Sequence, residues 1–179
     1  PQFPLIVELL DCLDLPHCEM VNYEADDVIG SISTQWKKEF DEVFIVSSDK
    51  DLMQFVGENV VMVDTMKGKT YDDKGVFEKM GVRPDQIVDY LSIIGDASDN
   101  IPGMKGIGAK GAVKLLEEFN DLDTCIANKE QFKGKRLINA FTNHLDDALM
   151  SKKLINIVTD LKLPLSAVDS EFNFYPSNK

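Results

Sequence analysis

Basic residues are scarce in this sequence. Lys and Arg number 19 against 31 Asp and Glu, so the 179-residue chain carries a formal net charge of −12. That balance argues against a protein that grips nucleic acid through overall positive charge, because such proteins show a basic footprint. Histidine occurs only as His17 and His144, and cysteine only as Cys12, Cys18 and Cys125, with no CxxC pair. This is a poor supply of ligands for a structural zinc site. Three cysteines also exclude a fully paired disulfide framework and fit a reducing, intracellular compartment. No apolar run approaches the roughly 20 residues of a membrane helix. The first residues, Pro1, Gln2, Phe3 and Pro4, lack the basic start of a secretory signal. They also lack an initiator Met, which predicts that further residues precede Pro1 in the native protein.

What the chain does have is an ordinary globular composition, 44% apolar and 28% charged. Its length suits one core, or a core with a small appended module. Residues 4–13 (PLIVELLDCL) and 25–40 have helical patterning, and residues 18–21 could form a short strand. Residues 42–47 (EVFIVS) and 60–63 (VVMV) are β-branched runs typical of strands buried on both faces. Between them, residues 51–56 read as a short helix, and residues 65–73 as a turn and edge hairpin. The alternation predicts an α/β fold with a parallel-rich central sheet flanked by helices. Beyond Gly81 helical segments dominate: residues 84–94, 109–119, 122–128, 136–149 and 151–157. The boundary is placed at Val82, giving an α/β core over residues 1–82 and a helical module over residues 83–179. Residues 172–179 read as a tail or linker. Trp36, Phe40, Phe44 and Phe55 are assigned to the core of the α/β part.

Three acidic clusters stand at element ends. Glu24, Asp26 and Asp27 open a helix, where acids also simply favour the helix dipole. Asp49 and Asp51 follow the strand EVFIV, the end of a strand at which α/β proteins gather ligands, although either could cap the next helix. Asp96 and Asp99, with Ser98 and Asn100, lie between an apolar helix and Ile101-Pro102-Gly103, where turn chemistry could explain one acid. Seven carboxylates meeting at one sheet edge would repel and raise one another's pKa values. Hard divalent cations such as Mg²⁺ or Mn²⁺ relieve that repulsion, and two of them can stabilise an in-line phosphoryl displacement.

A glycine-rich segment, Pro102-Gly103-Met104-Lys105-Gly106-Ile107-Gly108-Ala109-Lys110, leads into an amphipathic helix. This is the pattern of a helix–hairpin–helix. Gly103, Gly106 and Gly108 let a DNA backbone approach, N–H groups at the helix start face a phosphate, and Lys105, Lys110 and Lys114 add charge. A plain tight turn is the alternative. Such contacts position a duplex without reading its sequence. Lys133, Lys135, Arg136, Lys152 and Lys153 are mostly assigned to a solvated helix face.

The ordered stretches Tyr23-Glu24-Ala25-Asp26-Asp27-Val28-Ile29-Gly30, Ser48-Asp49-Lys50-Asp51-Leu52, Gly95-Asp96-Ala97-Ser98-Asp99-Asn100-Ile101-Pro102-Gly103 and Gly106-Ile107-Gly108-Ala109-Lys110 closely resemble the 5′ nuclease domain of bacterial DNA polymerase I and its flap endonuclease relatives. The stretch from Asp147 to Leu154 is also similar to that family, so the resemblance covers nearly the whole chain. It implies a PIN-like 5′ nuclease core and a metal-dependent 5′→3′ exonuclease and 5′-flap endonuclease acting in replication and repair. By the resemblance, Glu24, Asp26 and Asp27 serve a first Mg²⁺ or Mn²⁺ site. Asp49, Asp51, Asp96 and Asp99 serve mainly a second, with Asp26 near their boundary. A K⁺ ion at the hairpin would take the carbonyls of Met104 and Ile107. The partners implied are DNA with 5′ ends or flaps at duplex junctions, with no membrane; a covalently linked polymerase domain is implied only for those members of the family that carry one. The implied protein is a cytoplasmic, nucleoid-associated bacterial monomer. Family members begin with a strand bearing a metal-binding Asp, followed by a further Asp and a helical arch rich in Lys and Arg, none of which precedes Pro1 here. That departure predicts weak cleavage by this chain alone. A non-catalytic DNA-binding scaffold and a PIN-like ribonuclease are the rival readings.

Overall fold

A computed structural model of the chain describes residues 2–168, 170 and 171, so the tail expected over residues 172–179 lies outside the described residues. The chain divides into two compact units, Glu42–Ile157 and Pro1–Asp41 with Val158–Lys179.

The larger unit is built on a three-stranded sheet in the order β1-β2-β3. The strands are β1 (Val43–Val46), β2 (Val60–Asp64) and β3 (Lys69–Tyr71). β1 runs parallel to β2 with Val43 opposite Val60, and β2 antiparallel to β3 with Met62 opposite Tyr71. The expected α/β core is therefore present, with the expected hairpin as its antiparallel edge. A 3₁₀ turn, Asp51–Phe55, makes the crossover from β1 to β2 and buries Leu52 and Met53. β2 ends on Asp64, which is fully buried; the Lys67 N–H donates to one carboxylate oxygen at 3.0 Å and the Lys67 ammonium to the other at 2.9 Å. A charge so buried needs that pairing to be tolerated.

One burial expectation is corrected. The run EVFIVS was expected to be covered on both faces, but β1 is a sheet edge and only Ile45 is buried in it. Phe44 and Val46 are 54% and 64% exposed, and Phe40, also expected in the core, is 48% exposed. Apolar content reports fitness for burial, whereas the elements packed above and below a strand decide how many of its faces are covered.

The helices of this unit are α3 (Asp73–Met80), α4 (Ile87–Ile94), α5 (Ala109–Phe119), α6 (Leu122–Ala127), α7 (Lys135–Asn143) and α8 (Leu145–Ile155). α3, unexpected from the sequence, starts where the Asp72 carboxylate accepts the Gly75 N–H at 2.7 Å. The single helix expected over residues 136–149 is instead broken at His144, with no Gly or Pro to mark the break. One apolar core joins sheet and helices, with Met62, Val76, Ile87, Leu91, Leu116 and Ile155 all but fully buried.

The smaller unit contains α1 (Phe3–Cys12) and α2 (Ala25–Trp36). Residues 18–21 form no strand. One face of α2 is polar and gathers the returning chain. The Val158 N–H donates to Asp27 Oδ1 at 2.9 Å. The Ser31 hydroxyl donates to the Val158 carbonyl and accepts the Leu161 N–H, while the Gln35 amide donates to the carbonyls of Thr159 and Leu161, both at 3.0 Å. Among the described residues no helix is long and apolar enough to cross a membrane.

Candidate metal centre and nucleic-acid interface

Turn chemistry delivers the acids of the larger unit. After β1 the Ser47 hydroxyl accepts the Asp49 N–H, and Asp49 Oδ1 accepts the Asp51 N–H, each at 3.0 Å. Asp51 thus enters the 3₁₀ turn with its Oδ1 buried and without a hydrogen-bond donor. Past α4, Asp96 and Ile101 exchange backbone hydrogen bonds of 2.9 and 2.7 Å and close a loop. Within it the Ser98 N–H and hydroxyl both donate to Asp96 Oδ1. The result brings one carboxylate oxygen from each of Asp51, Asp96 and Asp99 within 4.8 Å of the others. Asp49 is exposed, and one of its oxygens is committed to the turn.

The electrostatics record this crowding. Burial, and then the charges of Asp49, Asp96 and Asp99 against partial relief from Lys50, push the Asp51 carboxyl up to about 6. Desolvation and the neighbouring Asp96 also raise Asp99. Asp96 moves the other way: burial works to raise it, but the Lys50 ammonium and the two Ser98 donors outweigh burial and hold it at about 2. Three converging oxygen donors, one of them buried without a partner, fit a hard divalent cation.

A stability prediction follows for the metal-free protein. The folded-state pKa of Asp51 lies above its ordinary 3.8, so its contribution to stability is full below 3.8 and is lost as pH rises through about 6. Asp51→Asn should remove that slope. It should raise stability at pH 7.5 in EDTA by about 1 kcal/mol, after allowance for solvent screening of a half-exposed group. Urea denaturation at pH 5 and 7.5 measures it, and an unchanged slope in the variant would assign the repulsion elsewhere. Asp96, with its lowered pKa, acts in a separate window: its stabilisation is present above 3.8 and lost as pH falls through about 2.

The first acidic cluster lies in the smaller unit, at the start of α2. Glu24 is the exposed N-cap residue, and Asp26 and Asp27 are half-buried in the first turn. Asp27 has both oxygens engaged by backbone, Oδ2 accepting the Glu24 N–H at 3.1 Å and Oδ1 the Val158 N–H at 2.9 Å. It closes the helix end, the structural role that the sequence left open.

The hairpin begins where the chain folds back onto the end of α4. The Met104 N–H donates to the Ile93 carbonyl at 2.7 Å. Gly103, at φ +61°, is buried against Gly95, at φ +75°. A Cβ on Gly103 would lie 2.3 Å from Gly95 N. Gly103 therefore serves packing and is not at the surface where a DNA backbone could reach it. Lys105, Gly106, Gly108 and Lys110 are exposed, and Met104 and Ile107 are buried with the Ile107 N–H donating to the Met104 carbonyl at 3.1 Å. α5 has Gly108 as its N-cap and no side-chain cap; the Gly111 N–H donates to the Gly108 carbonyl at 2.8 Å, so the Ala109 and Lys110 N–H groups are those that face an outside acceptor.

Two of the bases assigned to a solvated face have other places. Arg136 Nε donates to the Gly106 carbonyl at 2.6 Å and holds the hairpin turn. Lys152 bridges Asp89 and Asp123 at 2.9 and 2.8 Å. Arg136 and Lys133 also line a cleft of about 680 Å³ together with Gly106, Gly108, Lys110 and Lys114. No sequence signal pairs residue 136 with residue 106.

The fold is that of a known family. A model of the 5′–3′ exonuclease N-terminal resolvase-like domain matches residues 1–81, and one of the 5′–3′ exonuclease C-terminal SAM fold matches residues 82–177. The chain belongs to the 5′–3′ exonuclease family. It is 43% identical over 172 residues to DNA polymerase I of Bacillus caldotenax, covering 94% of this chain and 20% of that protein. Against the 5′–3′ exonuclease of Aquifex aeolicus it is 35% identical over 178 residues, covering 99% of this chain and 60% of the relative. It thus spans about a fifth of the polymerase and three fifths of the exonuclease. Its fold is similar to that of the T5 5′-exonuclease with bound divalent metal ions (zinc), with a TM-score of 0.76 and 23% identity over 88% of this chain and 60% of that one. The catalytic core of Rad2 in complex with DNA substrate is more distant, with a TM-score of 0.52 and 20% identity over 83% of this chain and 54% of that one.

Proposed function

We propose that this chain is the 5′ nuclease part of a DNA-processing protein, hydrolysing phosphodiesters at 5′ ends and 5′ flaps of duplex junctions in a divalent-metal-dependent reaction. The observation that carries the reading is the convergence of Asp51, Asp96 and Asp99, with a buried oxygen of Asp51 left without a donor, on the loop that leads directly into a lysine-flanked hairpin.

Asp51, Asp96 and Asp99 would hold Mg²⁺ or Mn²⁺, with Asp49 setting the Asp51 backbone and Ser98 aiming Asp96. Glu24 and Asp26 are the carboxylates proposed for a first ion, with Asp27 fixing the helix that presents them. Divalent ions so held would lower the pKa of an attacking water and stabilise charge during phosphoryl displacement. The hairpin's part is positioning: uncapped N–H groups at the α5 start, Lys105 and Lys110 take a duplex phosphate without reading sequence. A K⁺ ion at the Met104 and Ile107 carbonyls would share that phosphate, since a carbonyl that accepts one hydrogen bond retains a second lone pair. In this reading residues 1–82 carry chemistry and residues 83–179 mainly hold DNA, with the acidic loop at 96–99 reaching from the second part into the first part's task. The protein acts as a monomer among the DNA of a bacterial cytoplasm.

The test uses the whole protein and a 5′-flap duplex. Mg²⁺ should support release of mono- and oligonucleotides with 5′ phosphates, and EDTA should stop it; an intact flap in Mg²⁺ and in Mn²⁺ would overturn the reading. Lys110→Ala should weaken duplex binding similarly across sequences and lower the salt slope by about one unit. A changed sequence preference at an unchanged slope would count against a phosphate contact.

A further inference from the structure

Lys50 stands in sequence between Asp49 and Asp51, two acids of the candidate centre. Its ammonium pairs with Asp96 Oδ2, on a side chain only 6% exposed. Asp51 and Asp99 lie within electrostatic reach of the same ammonium. Three carboxylates as close as these are strongly destabilised without a cation among them. Lys50 is a cation that the chain itself supplies. Lys suits a temporary post better than Arg would, because its charge is compact and its four-carbon stem is flexible. The Lys50 side chain is 33% exposed, so solvent is open to it as an alternative.

We propose that Lys50 is a built-in counter-ion: in the metal-free protein its ammonium holds Asp96, and a divalent cation must displace it to bind among Asp51, Asp96 and Asp99. The inference rests on the reading of these acids as a metal centre. Lys50 then does two things. It keeps the acids assembled in the metal-free protein, and it weakens the apparent affinity of the centre by competition. Ion entry and lysine exit become one step, so the lysine charge is freed beside the centre only when an ion is in place.

The experiment has two arms. In the wild type, lysine acylation read by mass spectrometry should modify Lys50 slowly in EDTA and several-fold faster with Mn²⁺. Lys74, an exposed lysine of α3, should react equally in both and serves as the internal reference. In Lys50→Met, which keeps the stem and removes the charge, calorimetric affinity for Mn²⁺ should rise about tenfold. A fixed nearby charge would also weaken the ion, but it would not change its own reactivity on ion binding, so the labelling arm separates displacement from plain repulsion. The labelling arm also stands if Lys50→Met fails to fold. Mn²⁺ heats in the wild type with unchanged Lys50 labelling overturn the proposal and leave the metal centre intact. Absence of Mn²⁺ binding to the wild type overturns both.

Discussion

Gly103→Ala is expected to destabilise the protein by roughly 3–5 kcal/mol, the sum of forcing a side chain into a left-handed conformation and of overpacking a closed interior. The added carbon would meet backbone, not movable side chain: Gly95 N at 2.3 Å, Ile94 C at 2.5 Å and Gly95 Cα at 2.7 Å. Relief requires separating the start of the hairpin from the end of α4, which would pull on the Met104 to Ile93 hydrogen bond and on the Asp96–Ile101 pair beside it. Gly95→Ala should behave alike, because its Cβ would lie 2.6 Å from the Ile101 carbonyl. Thermal and urea unfolding measure the loss. A melting point within about a degree of wild type would mean that the two backbones do not pack this closely. Gly108→Ala is the control: a Cβ there meets nothing within 4 Å, and stability should be nearly unchanged.

Asp96→Ala with Asp99→Ala should lower Mn²⁺ affinity by more than about a hundredfold and cleavage by the whole protein by about a thousandfold or more. Two of the three converging oxygens disappear, and the one remaining belongs to a carboxyl whose pKa near 6 owes part of its elevation to the two that are gone. The fold should survive, because Asp99 is exposed and Lys50, freed of Asp96, can turn to water. Calorimetry with Mn²⁺ and a far-ultraviolet dichroism spectrum of the variant decide it. Equal affinity in the two proteins would move the centre away from these residues.

Short-range chemistry made much of this molecule readable from its sequence. The runs at residues 42–47 and 60–63 gave β1 and β2 because β-branched residues fit a pleated sheet, and residues 109–119 gave α5 because its apolar positions recur on one face. Asp49, Asp51, Asp96 and Asp99 could be singled out by where they fall relative to β1 and α4. Their division of labour could not. Asp96 becomes the buried, low-pKa member only through Lys50 and Ser98. Asp27 becomes a helix closure only through Val158, 131 residues away in sequence. Gly103, read as an approach for DNA, turned out to face Gly95, a contact that depends on how the loop folds back. The clasp between Arg136 and Gly106 is likewise set by tertiary packing, and an exposed arginine near a helix start looks the same in sequence whether or not it holds anything.

The hold of α2 on residues 158–161 has a consequence for the order in which this chain is made. Asp27, Ser31 and Gln35 leave the ribosome early, but the backbone groups they bind are synthesised about 130 residues later. The unit Glu42–Ile157 is contiguous and can form as it emerges, as domains generally do during translation. The smaller unit can only close afterwards, when Val158 and Leu161 exist. A nascent chain that has released residue 157 from the ribosome, but not yet Val158 and Leu161, would thus hold the acidic trio and the hairpin already assembled, with the clasp on α2 still to be made.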